Sequence, residues 1–460
     1  MPCFSPKTLS VAVALSLCGA GFATAESLSD AFAAAYQTNP TLGAARAGLR
    51  ATDEGVPAAR AGMRPSVTAN AQAQANETDR ANSPSDTSFP VTLSLTASQT
   101  LYDGGRTRNA VESAISNVSA GRTNLLSTEQ QVLLQVVTTY MDVRRDQQFV
   151  TLAQNNVRLI REQLRAAEDR FAVGEVTRTD VSQARARLAE SQSALAQQEG
   201  ALVRSKQAYR RIVGNLPGAL EEPPILPPGP DSIEAAIQEA MDYHPDIQTA
   251  QFVEEGARSD VRAALGALLP TVTLSGTVTV NENQAFGNNS TAGVIQLQAT
   301  VPIYQGGSEY AEIRRTREVV SQRMSQIHEA VREIREAVEN AWSDLEVARI
   351  AIRAGRQQVS AAQLAFEGVT EEAKLGARTT IDVLDAEQEL LDARTDLVNS
   401  LRDEYVAGYT LLAAVGRLTV ANLDVGVERY DPEGHYNEVS GKYYGFDRDE
   451  LTEWRTQTSP

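Results

Sequence analysis

Four segments of the chain alternate between apolar and polar residues, the pattern of a β-strand with one apolar and one polar face. Each is about as long as a tilted strand needs to cross a bilayer, and the small neutral residues of the polar face suit a water-filled lumen. Two soluble hairpins with one wet face would produce the same alternation. We predict strands at about residues 66–77, 89–102, 271–281 and 293–304.

Two long stretches contain no proline and are rich in Ala, Gln, Glu, Arg and Leu, which predicts long continuous helices. They run from Val91 to Leu216 and from Ile303 to Tyr430. Between Gly105 and Gly174 there are 68 residues, which would form a helix of roughly 100 Å. Such a helix suits the wall of a tube rather than a globular domain.

The chain contains two copies of one unit. Residues 101–105 (LYDGG) return as 303–307 (IYQGG), 202 positions later, whereas Asn39-Pro40 returns as His244-Pro245, 205 positions later. The second copy is therefore three residues shorter, in a stretch that is predicted to be a hairpin loop, where insertions are tolerated. The chain divides into a signal peptide at 1–25, a first copy at 26–216, a Pro-rich linker at 217–231, a second copy at 232–418 and a C-terminal extension at 419–460.

After each predicted hairpin tip, mostly apolar or small residues recur at spacings of three and four, which fit heptads. Helices with such a seam supercoil around their neighbours. The seam positions are Val181, Ala184, Leu188, Ser191, Leu195, Gln198, Leu202, Ser205, Tyr209 and Ile212 in the first copy, and Val383, Ala386, Leu390, Ala393, Leu397, Ser400, Ala407, Leu411 and Ala414 in the second.

The N-terminus has the features of a secretory signal, with Lys7 before an apolar run and an A-x-A cleavage site that ends at Ala25. A lipidated N-terminus at Cys18 is the alternative, but Leu17 before it is too large for such a site. Both cysteines, Cys3 and Cys18, precede the expected cleavage. We therefore expect neither disulfide nor thiolate chemistry in the mature chain.

A membrane role has to come from the strands, because no run of about 18 apolar residues follows residue 25. Four spanning strands leave two edges with unpaired backbone groups, which hydrocarbon does not allow, so other copies of the chain would have to close a barrel. Two chains would give eight strands with a filled interior. Three chains would give twelve strands with a passage, which the polar faces favour. The net charge of −17 repels nucleic acid.

From about Ser27 to Thr419 the sequence resembles the TolC family of outer-membrane efflux and secretion ducts. The resemblance rests on the duplication, the Asn-Pro and His-Pro helix breaks, the Tyr-x-Gly-Gly joints and the tip motifs at 173–181 and 375–385. It implies a mainly α-helical fold with transmembrane β-strands. A homotrimer would form a twelve-stranded barrel in the outer membrane and an α-barrel of long coiled-coil hairpins across the periplasm. Residues 430–446 are similar to the C-terminal extension of alphaproteobacterial, type I secretion-like members.

The resemblance places the candidate functional residues in the tip motifs. Asp382 and Asp385 fall on the family positions of the periplasmic constriction, where threefold symmetry would gather six carboxylates into two stacked rings. Arg378, Thr179 and Asp180 fall on positions whose links tie neighbouring hairpins closed. The two aspartates of the second copy are three residues apart, hence on one helical face.

A structural role competes with the gate role, because acidic residues at a helix N-terminus also cap N–H groups and complement the helix dipole. For Asp180 the two roles are equal alternatives, whereas for Asp382 and Asp385 we favour the gate. The family's gate tyrosine falls on Ala373 in this chain. One of the closing bonds is therefore absent or replaced.

The resemblance also implies partners. A periplasmic adaptor, or membrane fusion protein, would dock on the tips around Gly174, Val176, Gly376 and Ala377. An inner-membrane ABC or RND transporter would supply the energy through that adaptor.

Tyr102 and Tyr304 are expected in the aromatic belt at the periplasmic boundary of the membrane. Ordinary packing is the alternative for these two residues.

No enzymatic chemistry is expected. The three histidines, His244, His328 and His435, are far apart and in no metal-ligand spacing, and there is no Walker A lysine motif. We expect no cofactor, no metal and no nucleic acid. The prediction is a trimeric outer-membrane channel-tunnel that passively exports drugs or secreted proteins. A soluble periplasmic coiled-coil scaffold or adaptor, which would need no lipid-facing strands, is the alternative from another class.

Overall fold

The computed structural model describes residues 26–79, 86–283 and 289–445. The expected signal peptide and both cysteines lie outside these ranges. The described residues confirm the predicted fold class, because they are mostly helical with a few antiparallel strands.

The first copy begins with three short helices and continues into strands and a long hairpin. Its elements are α1 (Leu28–Thr38), α2 (Pro40–Asp53), α3 (Gly55–Arg60), a 3₁₀ turn (Ala61–Met63), β1 (Ser66–Ala73), β2 (Asn76–Thr78), β3 (Asp86–Ser88), β4 (Pro90–Tyr102), α4 (Arg106–Ala172) and α5 (Arg178–Val213).

The second copy repeats this order with fewer short elements, and a tail follows it. Its elements are α6 (Ile233–Tyr243), α7 (Pro245–Gly266), β5 (Thr271–Asn283), β6 (Ser290–Thr300), α8 (Ser308–Lys374) and α9 (Thr380–Ala414); the tail carries α10 (Val420–Leu423) and α11 (Gly434–Val439).

Asn39-Pro40 and His244-Pro245 each end one short helix and begin the next. Asn39 ends α1 in an extended conformation and caps α2 by accepting the Thr41 N–H at 2.8 Å. His244 does the same between α6 and α7, where its Nδ1 accepts the Asp246 N–H at 3.2 Å. Proline at the first helical position lacks the N–H that would be unpaired there.

The two long helices, α4 and α8, have 67 residues each, which confirms the prediction of roughly 100 Å rods. Both begin after a glycine in the left-handed region, Gly105 at φ 79° and Gly307 at φ 88°. A side chain is strained in this conformation, so glycine at these joints lets the chain turn sharply into each long helix. Among the described residues, no helix is both long and apolar enough to cross a membrane.

The four long strands form one antiparallel sheet in the order β1-β4-β5-β6, so the two copies are joined at its centre. Residues paired across neighbouring strands have similar side chains. Ala69, Leu95 and Val278, for example, form one apolar row across β1, β4 and β5. On this apolar face Leu95 and Val278 are 52% and 50% exposed. On the polar face, Thr92 donates to Asn281 at 2.8 Å across the junction of the copies.

The first and last strands of the sheet end earlier than the sequence pattern suggests. β1 stops at Ala73 rather than at about residue 77, and the separate strand β2 follows it. β6 stops at Thr300 rather than at about residue 304, because Pro302 has no N–H for the strand ladder. Tyr304 therefore lies beyond the sheet.

The main hydrophobic core lies in the middle of the helical region, where α1 packs against α4, α5, α9 and the start of the tail. Tyr140 and Tyr209 are fully buried there. The predicted heptad seam is confirmed, because Val181, Ala184 and Ser191 of α5 are buried against α4. In α9 the seam residues Val383, Leu390 and Ala393 are buried in the same way.

Candidate gate at the hairpin tips

The two hairpin tips of one chain lie side by side and enclose a groove of about 750 Å³. Val176 and Asp180 line it from the first copy, and Gly376 and Arg378 from the second. Four of the predicted residues are therefore brought together although they are about 200 positions apart. Thr179 lies one residue before Asp180 at the start of α5.

Asp180 in the first turn of α5 and Asp382 in the first turn of α9 both act as capping residues. The Asp180 carboxylate accepts the Thr177 N–H at 2.7 Å, and the Asp382 carboxylate accepts the Thr379 N–H at 2.8 Å. In return each threonine hydroxyl accepts the aspartate N–H, which completes a capping box. These bonds to backbone N–H groups lower the pKa of Asp180 and of Asp382. Both carboxylates therefore stay charged in mildly acidic solution.

Arg378 binds within its own hairpin. Its Nε donates to Glu372 Oε2 at 2.8 Å, and this bond is the main reason why the pKa of Arg378 is raised. Inside one chain Arg378 forms no hydrogen bond or ion pair with Thr179 or Asp180, although Arg378 and Asp180 line the same groove. Glu372 directly precedes Ala373, the position of the family's gate tyrosine, and the sequence alone did not single it out.

A different arginine, Arg187, links the two hairpins of one chain. Arg187 on α5 donates from Nη2 to Asp385 Oδ1 on α9 at 3.1 Å, and its Nη1 lies 3.2 Å from Glu190. Sequence reasoning missed Arg187. The sequence shows only that Arg187 follows one tip motif and Asp385 the other, which does not predict that the two side chains pair.

Glu387 is the most unusual ionisable residue near the tips. It is 4% exposed, and neither of its carboxylate oxygens has a hydrogen-bond partner. Burial, followed by the neighbouring charge of Glu162 on α4, raises the pKa of Glu387 to about 7. This residue was also missed, because a glutamate in a helix is normally solvated.

The remaining candidate residues lie at the turns and at the base of the sheet. Gly174 and Gly376 adopt left-handed conformations at φ 82° and 78°, and Ala377 follows Gly376 in the turn. Tyr102 ends β4 opposite Val272 and is 45% exposed. Within the described ranges, no group of three or more His, Cys, Asp or Glu side chains could hold a metal ion.

Comparisons with known proteins agree with this architecture. A family model described as "Outer membrane efflux protein" matches residues 32–215 and 236–417, which follow the two copies. The chain is 37% identical over 426 residues to the outer membrane efflux protein BepC of Brucella suis biovar 1, covering 92% of each chain. It is 25% identical over 437 residues to the outer membrane protein TolC of Escherichia coli K12, covering 91% of this chain and 88% of that one.

The fold is also that of a solved outer membrane protein, VceC of Vibrio cholerae. The two structures superpose with a TM-score of 0.73 at 22% identity, over 85% of this chain and 96% of that one.

These findings fix the class and the location of the protein. The family consists of channel proteins rather than enzymes, and its members reside in the outer membrane. The alternative of a soluble periplasmic scaffold is therefore wrong. The family model covers most of the chain, so the protein belongs to the outer membrane efflux protein family.

Proposed function

We propose that three copies of this chain form a passive exit duct, with a twelve-stranded barrel in the outer membrane and a helical tunnel across the periplasm. The observation that carries the proposal is the four-stranded sheet. Its edge strands β1 and β6 are each paired on one side only within the described residues. Its apolar face is exposed, with Leu297 of β6 at 66%. Lipid requires every strand edge to be paired, and neighbouring copies supply the missing partners.

The tips form the gate in this proposal. Asp382 and Asp385 of three subunits give six carboxylates around the axis, and carboxylate rings select cations. Arg187 partly neutralises Asp385 within each subunit, so the Asp382 ring carries the greater share of the free charge. Arg378 uses only its Nε on Glu372, so its other N–H donors are free to link to Thr179 or Asp180 of a neighbouring subunit in this proposal.

The tips also offer a surface to a periplasmic adaptor. Val173 and Leu375, next to Gly174 and Gly376, are 72% and 86% exposed, which is unusual for apolar side chains on a turn. An adaptor would cover them together with Val176 and Ala377 and would connect the duct to an inner-membrane ABC or RND transporter. The cargo is a drug or a secreted protein, and the transporter supplies the energy.

Planar-bilayer recording of the full-length protein tests the proposal. We expect cation-selective channels that millimolar divalent or micromolar trivalent cations block from the periplasmic side. The double variant Asp382→Ala with Asp385→Ala should lose this block. The matched control is Asp180→Ala with Gln183→Ala at the equivalent positions of the first copy, which also removes a capping carboxylate but should keep the block. Absence of any conductance would refute the duct, and equal block in both double variants would refute the gate.

A further inference from the structure

The end of the chain forms a strap along the outside of the first copy. We use this name for residues 430–445. The strap starts beside α1, where the Tyr430 N–H donates to the Tyr36 hydroxyl at 3.1 Å. The guanidinium of Arg46 lies over both tyrosine rings, 4.4 Å from the centroid of Tyr36 and 5.3 Å from that of Tyr430. A cation above two rings is a favourable contact.

From this point each later residue of the strap binds a later residue of α2 and α3. His435 Nδ1 lies 3.1 Å from the buried carboxylate of Asp53. Further along, Arg60 at the end of α3 donates to the carbonyl of Ser440 at 2.5 Å. The strap therefore runs in the same direction as α2 and α3, towards β1.

The strap ends at the base of the sheet. Arg64 donates to the carbonyl of Lys442 at 2.7 Å, and its guanidinium lies 4.1 Å from the centroid of the Tyr443 ring. Arg64 precedes the first residue of β1 by two positions. The neighbouring Met63 carbonyl accepts from Gln99 near the end of β4 at 3.3 Å, so this end of the strap lies level with the joint between strands and helices.

Two tyrosines at this end project into solvent. Tyr443 is 73% exposed and Tyr444 is 92% exposed. Tyr102 at the end of β4 and Tyr304 four residues beyond β6 are 45% and 79% exposed. Tyrosine is enriched where a bilayer meets water, because its ring is apolar and its hydroxyl is polar.

We propose that the end of the strap is a membrane anchor, in which Tyr443 and Tyr444 insert among the phospholipid headgroups of the periplasmic leaflet. These two exposed rings, which we call the tyrosine patch, lie level with the end of the sheet that leads into the long helices. Arg64 uses one of its five N–H donors on the Lys442 carbonyl, which leaves donors for a lipid phosphate. This inference rests on the proposed function, because the sheet must cross the bilayer for the strap to reach it.

Depth-dependent fluorescence quenching tests the anchor in the full-length protein. In a Trp342→Phe and Trp454→Phe background, single tryptophans are introduced as Tyr444→Trp, Leu95→Trp and Tyr436→Trp, and each protein is reconstituted into phosphatidylcholine vesicles. One set of vesicles carries a headgroup quencher and another carries bromine deep in the acyl chains. Tyr436 serves as the matched control, because its ring lies 5.1 Å from the guanidinium of Arg122. Arg122 is sixteen residues after Arg106, the first residue of α4, and therefore about 24 Å along the helix.

We expect the Tyr444→Trp protein to lose fluorescence to the headgroup quencher, the Leu95→Trp protein to lose it to the acyl-chain bromine, and the Tyr436→Trp protein to lose it to neither. No quenching in the Leu95→Trp protein would refute the membrane-spanning sheet itself. Quenching in the Leu95→Trp protein without quenching in the Tyr444→Trp protein would overturn the anchor alone. If the emission of the Tyr444→Trp protein is blue-shifted in detergent and unquenched in vesicles, a second copy of the chain covers the patch instead.

Discussion

The two copies share their backbone features and differ in the chemistry of their tips. The long helices have the same length, and the returning helices α5 and α9 have 36 and 35 residues. Each copy starts its long helix after a left-handed glycine and its returning helix with a threonine and aspartate capping box. Equivalent tip positions of the two copies carry side chains of different charge.

Positions 202 apart show this divergence. Arg185 of the first copy is exposed and binds Glu168 at 2.7 Å, whereas its equivalent Glu387 is buried without a partner. Gln183 is neutral, whereas its equivalent Asp385 is an acid held by Arg187 of the first copy. The duplication thus kept the features that make the hairpin and divided the charged groups between the copies.

The exposed apolar face of the sheet contains residues of both copies, and charges placed on it should have the largest effect. Leu95→Arg and the equivalent Leu297→Arg should each destabilise the proposed membrane-inserted trimer by about 2 to 4 kcal/mol per subunit, because in that assembly both place a charge in lipid. The neighbouring Ser94→Arg and Gln296→Arg should be mild. Heat stability of the trimer on gels measures the difference. Equal damage from both faces would contradict the lumen assignment.

Glu387 gives the second largest effect, and it depends on pH. The pKa of Glu387 in the folded chain is about 7, against a usual value of 4.5, so the folded state holds the proton more tightly. The stability associated with this proton is complete below pH 4.5 and is lost as the pH rises to about 7. Glu387→Gln should therefore raise the unfolding free energy at pH 8 by at most about 3 kcal/mol per subunit and change little at pH 4.5.

The matched control is Arg185→Gln at the equivalent position of the first copy, which should show no such pH dependence. Thermal unfolding of the full-length protein at the two pH values measures both variants. A Glu387→Gln gain that is the same at both pH values would show that this carboxylate is solvated.

The capping aspartates of the two copies should contribute equally to helix stability but differently to cation block. Asp180→Ala and Asp382→Ala should each weaken the start of their helix to a similar extent, because each removes the same bonds to backbone N–H groups. Hydrogen exchange at the start of α5 and α9 measures this loss. Cation block should weaken only in the Asp382 variant, and a weaker block in both would mean that Asp180 also lines the constriction.

The link between the hairpins should have the smallest energetic effect. Arg187→Gln removes a partly exposed ion pair with Asp385, which is worth about 0.2 to 1 kcal/mol. Three such losses should still favour the open tip and raise conductance in planar bilayers. The control Glu389→Gln, at the equivalent position of the second copy, should conduct as the wild type does. Unchanged conductance in Arg187→Gln would show that closure is held between subunits.

Local rules were enough for the fold. Absence of proline, the glycine joints and the alternation of residues act over short distances, so they fixed the helix lengths and the strands. Even the early end of β6 had a local signal in Pro302. The contacts at the tips had no such local signal, because the partners Arg187 and Asp385 are 198 residues apart. Burial of Glu387 likewise depends on which face α9 turns towards α4, and the course of the strap depends on contacts with α2 and α3.

The pairing of β4 with β5 imposes a delay on folding. The two strands are neighbours in the sheet, yet 168 residues separate Tyr102 from Thr271. At synthesis rates of about 5 to 20 residues per second, roughly 10 to 30 s pass between the synthesis of β4 and that of β5. During that interval the edge of β4 that pairs with β5 has no native partner. The central pairing of the sheet therefore forms late, between residues far apart in sequence, and this slows folding relative to a barrel whose neighbouring strands are all adjacent in sequence.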